Sequence, residues 1–150
     1  MILLHDCGGE ELRKVRLKSP LELAFIGDSV YELLVREYIT ANIDTSPSKL
    51  HSLAVSYVRA ESQAAFLDAV REQLTEDEQD VMRRGRNATK TSVPKHADSR
   101  SYRMATALEA LFGYLYLTGQ NDRLYELFGR MKEMMPVGDL LGPEQQSADI

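Results

Sequence analysis

The stretch Ser19-Pro20-Leu21-Glu22-Leu23-Ala24-Phe25-Ile26-Gly27-Asp28-Ser29-Val30-Tyr31-Glu32 carries the reading of both fold and site. Ser19 stands as an N-cap, Pro20 takes the first helical position where its missing N–H is no loss, and Glu22 lies three residues after the cap. Together they form a capping box that starts a helix. From Leu21 to Ile39 apolar residues recur at helical spacing, with Leu23, Ile26, Val30, Leu33 and Leu34 on one stripe. Asp28 sits deep inside this apolar helix. Aspartate is a poor helix-interior residue and is costly to bury unpartnered, so it needs a cation or a hydrogen-bond network unless it faces solvent.

The start signal recurs downstream. Ser46-Pro47 opens a second helix continued by Leu50, Leu53, Ala54, Tyr57 and Val58, and Ala64, Ala65, Leu67, Ala69 and Val70 make a third. Thr75-Glu76-Asp77-Glu78 is another capping box, and that helix runs into Arg83-Arg84. Residues 85–100, with Gly85, Pro94 and no hydrophobic periodicity, read as a long loop, the kind that is usually functional. A fifth helix covers about 101–118, with Met104, Leu108, Leu111 and Leu115 on one stripe and Gly119 placed to end it. Asn121-Asp122 caps a sixth that runs to about Met134. No stretch alternates with period two for long enough to be a strand, so the expected fold is all-α. Residues 1–18 and 136–150 read as loosely held tails around a folded domain at 19–135.

A chain of 150 residues can bury roughly 70% of its unfolded surface, enough for one cored domain. Cys7, His5, His51 and His96 lack any spacing typical of a zinc site, and a lone cysteine suits a reducing cytoplasm. The first residues lack a basic leader and a signal-peptide core. The longest run without a charge, Ala110 to Asn121, is 12 residues, below the roughly 18 apolar residues of a spanning helix. A soluble, cytoplasmic protein without a membrane partner is expected.

Charge is unevenly spread. Taken whole, 18 Lys+Arg against 23 Asp+Glu, a net of -5, argue against a nucleic-acid partner. Yet Arg83, Arg84, Arg86, Lys90, Lys95, Arg100 and Arg103 stand against the single Asp98, a net of +6, while the rest of the chain holds 11 basic and 22 acidic residues. An acidic body with one strongly basic segment points to a polyanion for that segment, with Asn87 as a further phosphate contact. A solvated flexible loop explains the charge equally well.

Glu109, between Ala107-Leu108 and Ala110-Leu111-Phe112-Gly113, resembles Asp28 in its apolar setting. Each acid has a polar neighbour about a turn away, Glu32 for Asp28 and Thr106 for Glu109. Mg²⁺ keeps several waters and takes one or two protein carboxylates plus substrate phosphate, so Asp28 and Glu109 suffice if their helices pack together. Gly113, one turn after Glu109, suits such a close approach. For Glu109 the bland alternative is a solvent-facing residue on an amphipathic helix.

The run Phe25-Ile26-Gly27-Asp28-Ser29-Val30 resembles the signature helix of the ribonuclease III family, and Glu109-Ala110-Leu111-Phe112-Gly113 resembles its second catalytic helix. The resemblance is closest to the Mini-III subclass, through Arg83-Arg84-Gly85-Arg86-Asn87-Ala88, Val93-Pro94-Lys95, Tyr102-Arg103 and Leu53-Ala54-Val55-Ser56-Tyr57-Val58. It covers about residues 19–135. It implies the helical ribonuclease III endonuclease fold without a double-stranded-RNA-binding domain, and a cytoplasmic, homodimeric, Mg²⁺-dependent endoribonuclease. The implied substrate is double-stranded RNA, in bacteria precursor large-subunit ribosomal RNA, with a bound ribosomal protein as a possible source of specificity. Asp28 and Glu109 match the family's catalytic, metal-binding acids. Ala24 and Thr106 stand where ordinary members have a glutamate and an aspartate, which implies fewer protein–metal bonds and more metal-bound water. The rival class is a non-catalytic RNA-binding or ribosome-assembly module of the same fold, favoured by those two replacements. A helical protein-interaction module is a third, and it leaves the basic segment without a role.

Overall fold

The computed structural model describes residues 9–88 and 98–141, and among them the regular elements are helices alone. In chain order these are α1 (Gly9–Arg16), α2 (Pro20–Asn42), α3 (Pro47–Val58), α4 (Ala60–Val70), α5 (Glu76–Asn87), α6 (Ser99–Leu117) and α7 (Asn121–Met134). Short 3₁₀ turns lie at Arg71–Gln73 and Val137–Leu140. No described helix is long and apolar enough to cross a membrane.

Side-chain caps set several of the starts. Ser19 Oγ accepts from the Glu22 N–H at 3.2 Å, and Ser46 Oγ does the same for Lys49 at 3.2 Å. Thr75 and Glu78 complete the reciprocal box at α5, the glutamate accepting from the Thr75 N–H at 2.9 Å. Gly119, with φ of 71°, ends α6 in the left-handed region that glycine occupies without strain. The cap of α7 is Gln120, one residue before the expected Asn121, and its side chain makes no capping bond.

α6 is the axis of the molecule. Leu108, Leu111, Phe112 and Leu115 are fully buried, and α2, α4, α5 and α7 all pack around it. Small residues set how closely the others approach. A Cβ on Gly27 would strike the carbonyl of Glu109, and one on Gly113 would strike the carbonyl of Leu23. As α2 advances from Leu23 to Gly27 its contacts on α6 recede from Gly113 to Glu109, so the two helices run antiparallel. On the other side Gly85 of α5 lies against Ala107 and Ala110, where a Cβ would meet the Ala110 Cβ at 2.9 Å.

Tyr31 fixes the rotation of α2. Its ring is wholly buried, edge-on to Phe112 at 5.7 Å and to Phe128 at 6.3 Å, and its hydroxyl donates to the Tyr57 carbonyl at 2.7 Å. Tyr57 in turn donates to the Met135 carbonyl at 2.6 Å. At the opposite end Glu78 and Arg123 form a largely buried pair with two hydrogen bonds of 2.9 Å. Burial alone would raise the glutamate's pKa. The bonds from Arg123 and from the Thr75 N–H, with the arginine's charge, outweigh it and hold the carboxyl below its ordinary value.

Three expectations are corrected. The stretch before residue 19 is not a loose tail throughout, because α1 places Val15 in the core, and beyond residue 135 Val137 and Leu141 are buried too. The loop expected at 85–100 is shorter: α5 continues through Gly85 to Asn87 and α6 begins at Ser99. Gly85 is there for close contact with α6, not as a helix breaker. Leu33, expected on the core stripe, is 45% exposed.

Gly27→Ala and Gly113→Ala should each destabilise the protein by more than about 3 kcal/mol in urea unfolding, because overpacking against backbone outweighs alanine's helix preference of about 1 kcal/mol. Gly129→Ala, in α7 with nothing near its Cβ position, should instead stabilise by about 0.5–1 kcal/mol. Equal effects at the three sites would contradict the packing described.

Candidate active site

The glycine contact decides where the two acids lie. Asp28 follows Gly27 directly, so one residue step of about 100° turns it from the α2–α6 contact onto the open edge of α2. Glu109 supplies the carbonyl that Gly27 faces, and its side chain lies half-buried at the same seam. Asp28 is exposed, which corrects the expectation of a deeply buried acid. Its helix has an apolar face at Leu23, Gly27, Val30, Tyr31 and Leu34, and Asp28 lies beside that face rather than on it.

The charge of Asp28 bears on Glu109 across the seam. Burial first, then the charge of Asp28, pushes the Glu109 carboxyl up to about 8. Burial and the charge of Glu32 raise Asp28 above its ordinary value. Glu32 is itself held by Arg36 at 2.8 Å, so part of its charge is answered within α2. Like charges gathered at a half-buried seam are the arrangement that a cation relieves.

Ala24 and Thr106 add no oxygen donor of that kind. Both are buried, and the Thr106 hydroxyl donates to the Tyr102 carbonyl at 3.1 Å within its own helix. Among the described residues, no group of three or more His, Cys, Asp or Glu side chains gathers as a metal cluster. The donor set at the seam is therefore two hard carboxylate oxygens. That set fits Mg²⁺, which accepts one or two carboxylates and keeps water on its other positions.

The basic residues divide. Arg83 pairs with Asp80 at 2.8 Å and shares a neighbouring groove with Arg71 and Arg86, whereas Arg84 reaches back to the Lys18 carbonyl at 3.5 Å, on the side of α5 nearest α1 and α2. Arg86, Asn87 and Arg103 instead line a cleft of about 500 Å³ at the start of α6. Lys90 and Lys95 lie outside the described residues. Two cleft residues escaped the sequence reading as candidate contacts: Arg71, which follows α4, and Arg100. Nothing in the sequence singles out Arg71, since it stands alone between Val70 and Glu72 and joins the cleft only through the packing of α4 on α6. Asp98, the one acid in the basic segment, is the N-cap of α6 and accepts from the N–H groups of Arg100 and Ser101.

An aspartate and a glutamate thus stand on two glycine-coupled antiparallel helices of an all-α domain. The Ribonuclease III domain family matches residues 21–120. The chain is 43% identical to the Mini-ribonuclease 3 of Clostridium tetani over 122 residues, covering 79% of this chain and 81% of that protein. It is 49% identical over 108 residues to the Mini-ribonuclease 3 of Symbiobacterium thermophilum, covering 72% and 83%. A crystal structure of a protein from Fusobacterium nucleatum superposes with a TM-score of 0.73 at 26% identity, covering 78% of this chain and 90% of that one. The chain belongs to the Mini-ribonuclease 3 branch of the ribonuclease III family, and is an endoribonuclease of that type.

The raised Glu109 has a consequence for stability. An acid with a folded pKa of about 8 and an ordinary value of 4.5 contributes stability that is fully present below pH 4.5 and is lost as pH rises through 8. Metal-free protein should therefore lose stability between those limits relative to Glu109→Gln, read as the difference in urea midpoints across the range in EDTA. Parallel curves for the two proteins would rule out the shift.

Proposed function

We propose that this endoribonuclease cleaves double-stranded RNA with Mg²⁺ held by Asp28 and Glu109. The observation that carries the reading is the meeting of these two acids at the Gly27–Gly113 contact. When bound, Mg²⁺ supplies Lewis-acid activation of a water and neutralises charge on the phosphate and the leaving 3′-oxygen. Glu109, whose carboxyl burial and the charge of Asp28 push up to about 8, would have to be ionised to hold the ion. Asp28, on the open edge, faces the side from which a phosphodiester arrives. The chemistry needs no histidine or serine nucleophile.

Arg83, Arg84, Arg86, Asn87, Lys90, Lys95 and Arg103 contribute contacts to the duplex backbone. RNA duplexes are recognised by shape, phosphates and 2′-hydroxyls, which suits arginine contacts that do not read bases. The finer reading rests on the resemblance: maturation of precursor 23S ribosomal RNA in the cytoplasm, with a ribosomal protein on the RNA as a further partner.

The enzyme acts as a homodimer. Leu21, Phe25 and Leu33 fall at multiples of four residues on α2, with Leu17 just before it, and all four are exposed, Phe25 by 83%. Large apolar side chains gathered on one exposed face mark a contact surface. Covering it with a second copy related by a two-fold axis places two acid pairs against one duplex, one for each strand.

Asp28→Asn and Glu109→Gln should each lower Mg²⁺-dependent cleavage of an RNA duplex at least about a hundredfold while leaving the far-ultraviolet spectrum intact. Asp28→Asn protein that still cuts would refute the assignment. Phe25→Glu should convert the dimer to a monomer in sedimentation, and a wild type that is itself monomeric at micromolar concentration would remove that part of the reading.

A further inference from the structure

The cleft between the Arg71–Gln73 turn, the end of α5 and the start of α6 gathers charge that a purely local reading of the basic segment does not account for. Its lining includes Arg71, Arg86, Arg100 and Arg103, from three separate elements. Each arrives for an identifiable reason. Arg71 follows Val70, whose burial anchors the end of α4. Arg86 is presented because neighbouring Gly85 lets α5 settle on Ala107 and Ala110. Arg100 and Arg103 are three residues apart on α6 and so share a face.

Internal anions answer only part of this charge. Asp98 is committed to capping α6. Asp68 of α4 takes two hydrogen bonds from Arg100, at 2.9 and 3.1 Å, and lies 3.9 Å from Arg71. Arg103 has no side-chain hydrogen bond or ion pair among the described residues. Among the described residues Arg71, Arg86, Arg100 and Arg103 thus line an open space of about 500 Å³, and Asp68 beside it is exposed and bound to arginines that can exchange it for another anion. Guanidinium forks match the paired oxygens of a phosphate.

Building on the duplex-RNA reading above, we propose that this cleft binds one backbone phosphodiester of the RNA, with Arg71 as a contact outside the basic segment and Asp68 as the internal anion that the phosphate displaces. Arg103 and Glu109 lie on the same rigid helix, six residues or about 9 Å of rise apart. A phosphate seated in the cleft therefore sets the register of the duplex over the acids without reading its sequence.

The test is fluorescence anisotropy of a labelled RNA duplex in EDTA across a salt series, beside cleavage in Mg²⁺. Arg71→Gln should weaken binding about three- to tenfold near 0.1 M salt and reduce the slope of log K against log salt by about 0.7–0.9, one phosphate's worth. Arg71→Lys should keep most of that slope. Asp68→Asn should shift affinity the opposite way, tightening it two- to fivefold.

Arg71→Gln with wild-type affinity and slope overturns the cleft, as does Asp68→Asn that weakens binding. Pyrophosphate that binds the wild type but not Arg71→Gln, while duplex affinity is the same in both, would assign the cleft to a free anion and overturn the proposal. A wild type that neither binds nor cuts the duplex overturns the functional reading and the cleft with it. A wild type that does both while Arg71→Gln matches it overturns the cleft alone.

Discussion

The close approach of α2 and α6 at Gly27 and Gly113 is the constraint on which the molecule depends. Two helices whose facing carbonyls occupy the space of a side chain must cross at one depth and in one register, because the contact leaves no room for slippage. That register puts Asp28 and Glu109 at one seam and lets the charge of one acid bear on the other. The same closeness makes α6 the axis, with Gly85 repeating the device for α5. Tyr31 completes the constraint by locking the rotation of α2, three residues after the acid it serves to orient.

The acids show how packing and chemistry share one seam. Burial raises Glu109 and the nearby aspartate raises it further, so the seam opposes its own ionisation. A protein gains nothing in stability from such a pair, in contrast to Glu78 and Arg123, where hydrogen bonds and opposite charge more than offset burial. Of two charged clusters in one fold, one is satisfied within the chain and holds α5 to α7. The other, Asp28 with Glu109, sets like charges beside each other at the α2–α6 seam.

The division of charge follows similar logic. Averaged over the chain, the net of -5 speaks against nucleic acid, but the basic residues are placed where α5 ends and α6 begins. Some are tethered, as Arg83 is to Asp80. Others converge on a cleft whose membership crosses from α4 to α6. The exposed apolar residues Leu21, Phe25 and Leu33 give a further surface on the same helix that carries Asp28.

Much of this was legible in the sequence because it is local. Ser19, Ser46 and Thr75 announce helix starts through bonds to residues three positions on, the period of the apolar residues gives the all-α class, and the runs around Asp28 and Glu109 give the family resemblance. What local pattern cannot carry is which side of a helix meets another helix. Asp28 and Leu33 therefore read as interior but are exposed, and Gly85 reads as a break although it is a contact. Arg71 had no signal at all, since its role exists only once α4 lies against α6. The sequence by itself determined the all-α class, most of the helices and the family resemblance. The tertiary structure decided depth, neighbour and grouping, because burial and electrostatic coupling depend on distances that only packing sets.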